Sequence, residues 1–248
     1  MPNTNTLLQL RKEITSLENK LLENNLLIQI SELNNDHLGG RVTRIAWKGY
    51  NISHKTEFAS VEQYRELLMN EQYSFILFDG SIFQIVYLVK NHEIIGHSLG
   101  YYPCPIPLMP AEFSVYQETG LTLEDTLAEK LEAVAVGLFD IFRQPGKQNL
   151  DDLKIRLRSP LRFDFDKDSN RLDHPGSHLH FYHQECRVPV FAPLSIGHFV
   201  NFIFKHFYPE LWGELEFLRT WPCTIYPSTI MSEHRSHLHI DCIEHRVV

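Results

Sequence analysis

The chain has 248 residues and a formal net charge of −8, and its composition excludes several classes of protein. With 43% hydrophobic residues it is far from the composition of disordered chains, while the negative charge argues against a broad grip on long duplex DNA, which needs many Lys and Arg side chains. The sequence shows neither an apolar run of the roughly 20 residues that cross a bilayer nor a signal peptide at its start, so we expect a cytoplasmic protein without membrane contact.

A repeating apolar pattern near the N-terminus predicts one long helix from about Thr6 to Asp36, which Gly39-Gly40 ends. Steps of three and four residues place these side chains on one seam: Leu7, Leu10, Ile14, Leu17, Leu21, Asn24 and Ile28. Further leucines widen the apolar surface, so packing within the domain and docking of a protein partner or second copy are both open interpretations. We divide the chain into an N-terminal helix, residues 1–38, for oligomerisation or partner docking, and a single α+β domain, residues 39–248.

The middle of the chain predicts strands followed by one helix. A three-stranded meander is expected, with strands at Ser74–Phe78, Ile82–Val89 and Glu93–Tyr101 and turns at Asp79-Gly80-Ser81 and near Asn91-His92. Thr122 and Asp125 have the spacing of a capping box, which predicts the start of a helix. Its apolar face carries Leu127, Leu131, Val134, Leu138 and Ile141.

The C-terminal part predicts short strands around an aromatic helix. Apolar and polar residues alternate from Lys154 to Asp166, with Pro160 interrupting the strand. Further strands are expected at Ser177–Tyr182 and Ser236–Ile243, and Ser195 is expected to cap a helix that Pro209 closes. The fold class that follows is α+β, with antiparallel sheet and packed helices preceded by the long N-terminal helix.

Two Ser-His-Leu-His segments are the most site-like feature of the sequence. Ten of the 14 histidines lie from His174 onward, in under a third of the chain. Alternate side chains of a strand share one face, so His178 with His180, and His237 with His239, each present two imidazoles on one side. If the two strands are neighbours, four imidazoles meet in one cleft.

Paired imidazoles favour proton transfer on a phosphodiester without a metal ion, because imidazole gives and takes protons near neutral pH. The segments are similar to those of the two-histidine phosphoesterases, whose two strands each carry apolar-His-apolar-Thr/Ser-apolar. By that resemblance His178 and His237 are the acid/base pair, and His180 and His239 occupy the positions of the phosphate-binding hydroxyls. Arg162 and Arg187 bracket the first pair and are expected to hold the phosphate in a bidentate fork.

A metal site is the alternative interpretation of the same histidines. Several imidazoles with a carboxylate suit zinc or another divalent transition ion. His178, His180 and Glu185 reproduce the histidine and glutamate spacing of the cupin metal motif, although its flanking glycines are absent. The plainest interpretation is that the pairs only occupy the polar faces of two strands.

Four blocks of the chain resemble an uncharacterised bacterial family that is known only as a domain of unknown function. They are Asp79-Gly80-Ser81-Ile82-Phe83-Gln84, Arg162-Phe163-Asp164-Phe165-Asp166, His174-Pro175-Gly176-Ser177-His178-Leu179 and Cys186-Arg187-Val188-Pro189-Val190. The order of a meander, a His-x-His block and an aromatic helix is also similar to small toxins of bacterial toxin–antitoxin modules. Together these resemblances imply a role in bacterial conflict or antiviral defence.

Three hypotheses about function follow from the sequence. The leading one is a metal-independent phosphodiesterase or ribonuclease of a toxin or antiviral defence system, acting on RNA or a nucleotide. The second is a non-enzymatic sensor or adaptor subunit of a defence complex, which docks a partner through the N-terminal helix. The third is a metal-dependent enzyme built on the histidine pairs.

Overall fold

The computed structural model describes residues 6–51, 61–106, 138–140, 142–143, 159–181 and 183–241. The strands are β1 (Leu27–Ile30), β2 (Leu33–Gly39), β3 (Val42–Trp47), β4 (Phe75–Leu77), β5 (Ile82–Lys90), β6 (Glu93–Tyr102), β7 (Leu161–Asp166), β8 (Ser177–Phe181) and β9 (His183–Pro189). The helices are α1 (Thr6–Glu23), α2 (Val61–Met69), α3 (Ile196–Phe207), α4 (Pro209–Glu214), α5 (Glu216–Thr220) and α6 (Ser232–Arg235). Residues 138–140 and 142–143 are also helical.

These nine strands form one sheet in which every pairing is antiparallel, so the expected α+β class is confirmed. Its main path runs β1-β4-β5-β6-β7-β8-β9. β4 pairs with the first residues of β5, and β3 pairs with the last residues of β5. The β2–β3 hairpin therefore lies on the same side of β5 as β4. The second half of the path places β7, β8 and β9 side by side.

One face of the sheet packs against α1 and α3 and forms the main core. In β5, β6 and β7 the residues that point to this face are aromatic or aliphatic, because side chains alternate between the two faces of a strand. The ring of Phe83 lies 5.3 Å from that of Phe199 of α3, and Phe163 lies 6.2 Å from the same ring. The contribution of α1 is the fully buried set Leu10, Ile14, Leu17 and Leu21.

The opposite face is apolar at one end and polar at the other. At the apolar end, α2 packs through Tyr64 and Leu68 against a second core that includes Ile82, Tyr102 and the helical residue Leu138. Further along β6, β7 and β8 the same face carries these polar residues: Ser98, Arg162, Asp164, His178 and His180. This polar stretch holds the candidate site described below.

The buried side chain of His97 ties the sheet to the segment that enters α3. Its Nδ1 lies 3.2 Å from the carbonyl oxygen of Phe163, and its Nε2 accepts a hydrogen bond of 2.9 Å from the backbone N–H of Leu194. Tyr87 reaches the same segment by donating to the carbonyl oxygen of Leu194 at 2.9 Å. Burial lowers the pKa of His97 to about 4, so the ring is neutral at pH 7, as an acceptor nitrogen requires.

The expectation of a single helix from Thr6 to Asp36 is wrong in its second half. The seam from Leu10 to Leu21 is confirmed, but α1 ends at Glu23 and Asn25 adopts a left-handed conformation with φ of 55°. The apolar residues that follow form β1, which pairs with β4. Gly39-Gly40 ends β2 and opens the hairpin turn, with φ values of 85° and 57° that suit glycine. Partner docking by the N-terminal segment stays a prediction.

The expected meander is confirmed as β4, β5 and β6, and the strands before and after the His174 turn are confirmed as β7 and β8. Ser195 caps α3 as expected, because its Oγ accepts the N–H of His198 at 3.3 Å. The expected helix that begins at Thr122 lies outside the described residues, apart from the helical positions 138–140 and 142–143. The strand before Pro160 also lies outside them.

The expected strand over Ser236–Ile243 is wrong as far as the described residues reach, which is Asp241. α6 ends at Arg235, and the next residues form a turn in which the backbone N–H of His237 donates to the carbonyl of His234. Ser236 Oγ likewise donates to the carbonyl of Glu233, so local groups satisfy this backbone. Ile240 alone makes a bridge, parallel to Val190 beyond the end of β9.

None of the helices in the described ranges has the length and apolar character that a membrane crossing requires.

We expect Leu17→Ala to lower the free energy of unfolding by about 2–5 kcal/mol, because it leaves a cavity between α1 and the sheet. Leu22→Ala is the matched control on the same helix. Leu22 is 49% exposed, so its replacement should change stability by less than about 0.5 kcal/mol. Urea unfolding followed by circular dichroism measures both values, and equal losses would contradict the assignment of the buried seam.

The buried neutral state of His97 predicts a loss of stability in acid. Its pKa is about 4 in the folded chain and the ordinary 6.5 when unfolded, so between these pH values the unfolded state binds more protons. The free energy of unfolding should therefore fall as pH decreases from about 6.5 to about 4, by at most about 1.4 kcal/mol per pH unit from this group. Urea unfolding at several pH values should show a shallower slope for His97→Gln. Equal slopes in the two proteins would disprove this role.

Candidate functional site

Three neighbouring strands bring the first histidine pair beside a carboxylate and two arginines. In the pairing of β7 with β8, Asp164 lies opposite His178 and Arg162 lies opposite His180. In the pairing of β8 with β9, Arg187 lies opposite His180. Directly opposite residues of an antiparallel pair share a face. Arg162, His180 and Arg187 therefore form one row across the polar face, and Asp164 and His178 form the next.

Within these rows, Asp164, His178 and His180 form a compact set that we call the His/Asp group. His178 Nε2 lies 2.9 Å from His180 Nε2, and His180 Nε2 lies 3.3 Å from Asp164 Oδ2. The atoms that could bind an ion all lie within 4.8 Å of one another. Each histidine is only 3% exposed, whereas the Asp164 side chain is 21% exposed. Solvent therefore reaches the group on the side of Asp164.

The carboxylate of Asp164 is held on both oxygens. Arg162 Nε donates to Oδ2 at 2.7 Å, and Ser98 Oγ donates to Oδ1 at 2.8 Å. Burial alone would raise the pKa of Asp164, but contacts with His180, Arg162 and Ser98 outweigh it and hold that pKa well below its usual range. Asp164 is therefore a fixed anion at neutral pH.

The orientation and charge state of His178 follow from its backbone partner. Its Nδ1 lies 2.7 Å from the carbonyl oxygen of Pro175, which can only accept, so Nδ1 carries the proton and donates. Burial, and after it the adjacent His180, lower the pKa of His178 to about 4. The neutral ring thus directs the lone pair of Nε2 at His180 Nε2.

This arrangement allows two kinds of chemistry. His180 can donate the hydrogen of its Nε2 to His178, or the two nitrogens and the carboxylate can bind a cation together. Ligand atoms about 2.0–2.1 Å from a zinc ion are about 2.9 Å apart at a right angle and about 3.4 Å apart at the tetrahedral angle. The observed separations of 2.9 Å and 3.3 Å match these two values. The separations of His180 from His178 and from Asp164 therefore have the dimensions of adjacent metal ligands.

The first Ser-His-Leu-His segment behaves as the strand pattern predicts, since His178 and His180 share a face of β8. The second segment does not lie on a strand. Its two histidines are held locally, because His237 Nδ1 donates to the carbonyl of Glu233 at 2.9 Å and His239 Nδ1 donates to that of His237 at 3.0 Å. Neither belongs to the His/Asp group. The acid/base role of His237 and the phosphate-binding role of His239 stay predictions.

The two arginines expected to bind phosphate differ in their surroundings. Arg162 is committed to Asp164 and also hydrogen-bonds the phenol of Tyr102. Arg187 is partly buried, and its Nε is a buried donor that has no acceptor among the described residues. Glu185, which the cupin spacing singles out, is exposed on β9 and lies outside the His/Asp group.

Sequence reasoning missed Asp164 as a member of the site. A usable signal was present in the alternation of β7, because Arg162 and Asp164 share the polar face and the next strand along the chain carries the His-x-His pair. A short connection joins the two strands, which favours direct antiparallel pairing. The supporting hydroxyl of Ser98, from β6, carried no comparable signal.

Comparison with known proteins identifies a family and no known activity. A family model described as "Uncharacterized conserved protein (DUF2290)" matches residues 27–242. This range contains all nine strands and the complete His/Asp group, and it confirms the resemblance to an uncharacterised family. No curated protein and no solved structure matches the chain.

Proposed function

We propose that this chain, which belongs to the DUF2290 family, is a hydrolase that uses one divalent metal ion held by Asp164, His178 and His180. The observation that carries the proposal is the convergence of two imidazole nitrogens and one carboxylate oxygen within 4.8 Å. Two histidines with one carboxylate are a known ligand set of catalytic zinc, and they leave a coordination position for water or substrate.

The contacts around the His/Asp group support ligand roles for His178 and Asp164. Metal-binding histidines usually donate their second ring N–H to a backbone carbonyl or a carboxylate, which orients the ring. His178 does this toward Pro175. Binding carboxylates are usually hydrogen-bonded as well, as Asp164 is by Ser98 and Arg162. These contacts orient the ligand atoms before an ion arrives.

A divalent ion in such a site supplies Lewis acidity and a bound water that is easier to deprotonate. The residues of the chain would position the ion and set the net charge around it. Asp164 contributes one negative charge, and an imidazole that binds an ion through its lone pair contributes none, so the ion keeps most of its charge for the reaction. The exposed fraction of Asp164 marks the side from which water and substrate approach.

The metal-independent phosphodiesterase or ribonuclease expected from the sequence is the second candidate, and its substrate class is compatible with the same site. Two observations favour the metal ion. His178 Nε2, the ring nitrogen that would accept a proton, is directed at His180, and His237 is hydrogen-bonded within its own turn. The toxin or antiviral role rests on sequence resemblance, and a sensor or adaptor function would require neither chemistry.

The repeated Ser-His-Leu-His sequence provides a matched test of metal binding. The full chain, stripped with a chelator, should bind about one equivalent of Zn²⁺ or Co²⁺ in calorimetry. His178→Gln with His180→Gln should weaken this binding at least about 100-fold, because two ligands are lost. His237→Gln with His239→Gln should leave it unchanged. Equal binding by both double variants, or none by the unaltered chain, would overturn the metal site.

Activity separates the two catalytic candidates. The full chain should hydrolyse a generic phosphodiester, bis(p-nitrophenyl) phosphate, or a short RNA, and a chelator should abolish the reaction until Zn²⁺ or Mn²⁺ is restored. Asp164→Asn should remove this activity, while His237→Gln should retain it. Hydrolysis that survives the chelator and requires both His178 and His237 would establish the metal-independent mechanism instead.

A further inference from the structure

We propose that Arg187 binds a phosphoryl group beside the His/Asp group, and that the substrate is therefore a phosphate ester. This inference rests on the proposed function for the reaction and adds the substrate class. Its starting point is the position of Arg187, directly opposite His180 in the pairing of β8 with β9. Opposite residues have Cβ atoms about 4.5–5.5 Å apart on the same face, so a guanidinium there reaches a ligand bound at His180.

The two arginines that flank His180 form an internal comparison. Arg162, on β7, has a carboxylate partner at 2.7 Å. Arg187, on β9, has a buried Nε donor with no acceptor among the described residues. A buried polar donor without a partner is costly, and a bound ligand or ion is one way in which folded proteins satisfy such a group. The unsatisfied donor thus lies in the row that contains a proposed metal ligand.

The balance of charge identifies the kind of ligand. Asp164 offsets the charge of Arg162, whereas the charge of Arg187 has no acidic partner among the described residues. A divalent ion at the His/Asp group would add to this local positive charge, although the whole chain carries −8. The site as proposed is therefore cationic and requires an anionic substrate.

Geometry favours a phosphoryl group over a carboxylate. A guanidinium fork binds two oxygens of either group in parallel hydrogen bonds. A phosphate monoester has three non-bridging oxygens, so one can face the metal ion while two face Arg187, and it carries up to two negative charges. A carboxylate has only two oxygens for both partners. The arrangement of one arginine next to three metal ligands therefore suits a phosphate ester with a terminal phosphoryl group, such as a nucleotide or an RNA end.

The test uses the full chain with inorganic phosphate and acetate as probes, each titrated by calorimetry in the presence of Zn²⁺ and after its removal. Phosphate should bind at least about tenfold more tightly than acetate, and Arg187→Gln should weaken phosphate binding at least about tenfold. Arg187→Lys keeps the charge without the fork, and its affinity for phosphate should lie between those of the unaltered chain and Arg187→Gln. Arg171→Gln removes the same charge from an exposed position and should bind phosphate as the unaltered chain does.

The outcomes separate this inference from the proposed function. If Zn²⁺ binds the His/Asp group but phosphate binds equally well to the unaltered chain and to both Arg187 variants, the phosphoryl site is overturned and the metal site stands. If Zn²⁺ does not bind while phosphate binding depends on Arg187, the anion site stands and the metal-dependent hydrolase is overturned. Preference for acetate over phosphate would overturn the phosphate ester as the substrate class.

Discussion

The two-residue alternation of side chains across β5 to β8 is the constraint on which the other features depend. On one side it directs Phe83, Leu99 and Phe163 into the core under α1 and α3. The side chains between them point to the opposite face of the sheet, where polar residues can lie, since a strand has only these two directions for its side chains. A polar site can therefore form on strands whose other face is mostly apolar, and the packing of that core holds the strands that carry Asp164 and His178.

The core side and the polar side are connected through backbone contacts. His97 bonds the carbonyl of Phe163, which lies between Arg162 and Asp164 on β7, and its other nitrogen accepts from Leu194 at the entry to α3. At the far end of α3, Tyr208 donates to Asp79 in the turn between β4 and β5 at 2.9 Å. α3 is thus attached to the sheet at both ends by buried polar groups, which cost stability when unpaired and position the strands when paired.

The His/Asp group places a carboxylate and two imidazoles close together with little exposure. Such buried polar groups require hydrogen-bond partners to offset the loss of water. Arg162 and Ser98 satisfy Asp164, and Pro175 satisfies the N–H of His178. These partners would also orient the ligands of a metal ion, so structural satisfaction and function use the same contacts. Arg187 differs because its buried Nε has no acceptor among the described residues, and this difference supports a role toward a ligand.

The sequence by itself determined properties that depend on neighbouring residues along the chain. The period of β8 is sufficient to place His178 and His180 on one face, and the three-and-four spacing of Leu10, Ile14 and Leu17 is sufficient to define the buried side of α1. Likewise the Asp79 turn and the Ser195 cap are local hydrogen-bonded arrangements, and the structure has both.

Only the tertiary structure decided which residues meet across strands and which segments are strands at all. Asp164 joins the histidines because the register of β7 with β8 sets it opposite His178, and hydrogen bonds between strands establish that register. The same Ser-His-Leu-His sequence forms a strand at His178 and a turn at His237. The first segment has a strand on each side, whereas in the second the N–H of His237 bonds the carbonyl of His234 within the turn. Pairing partners are distant in sequence, so a short pattern cannot specify them.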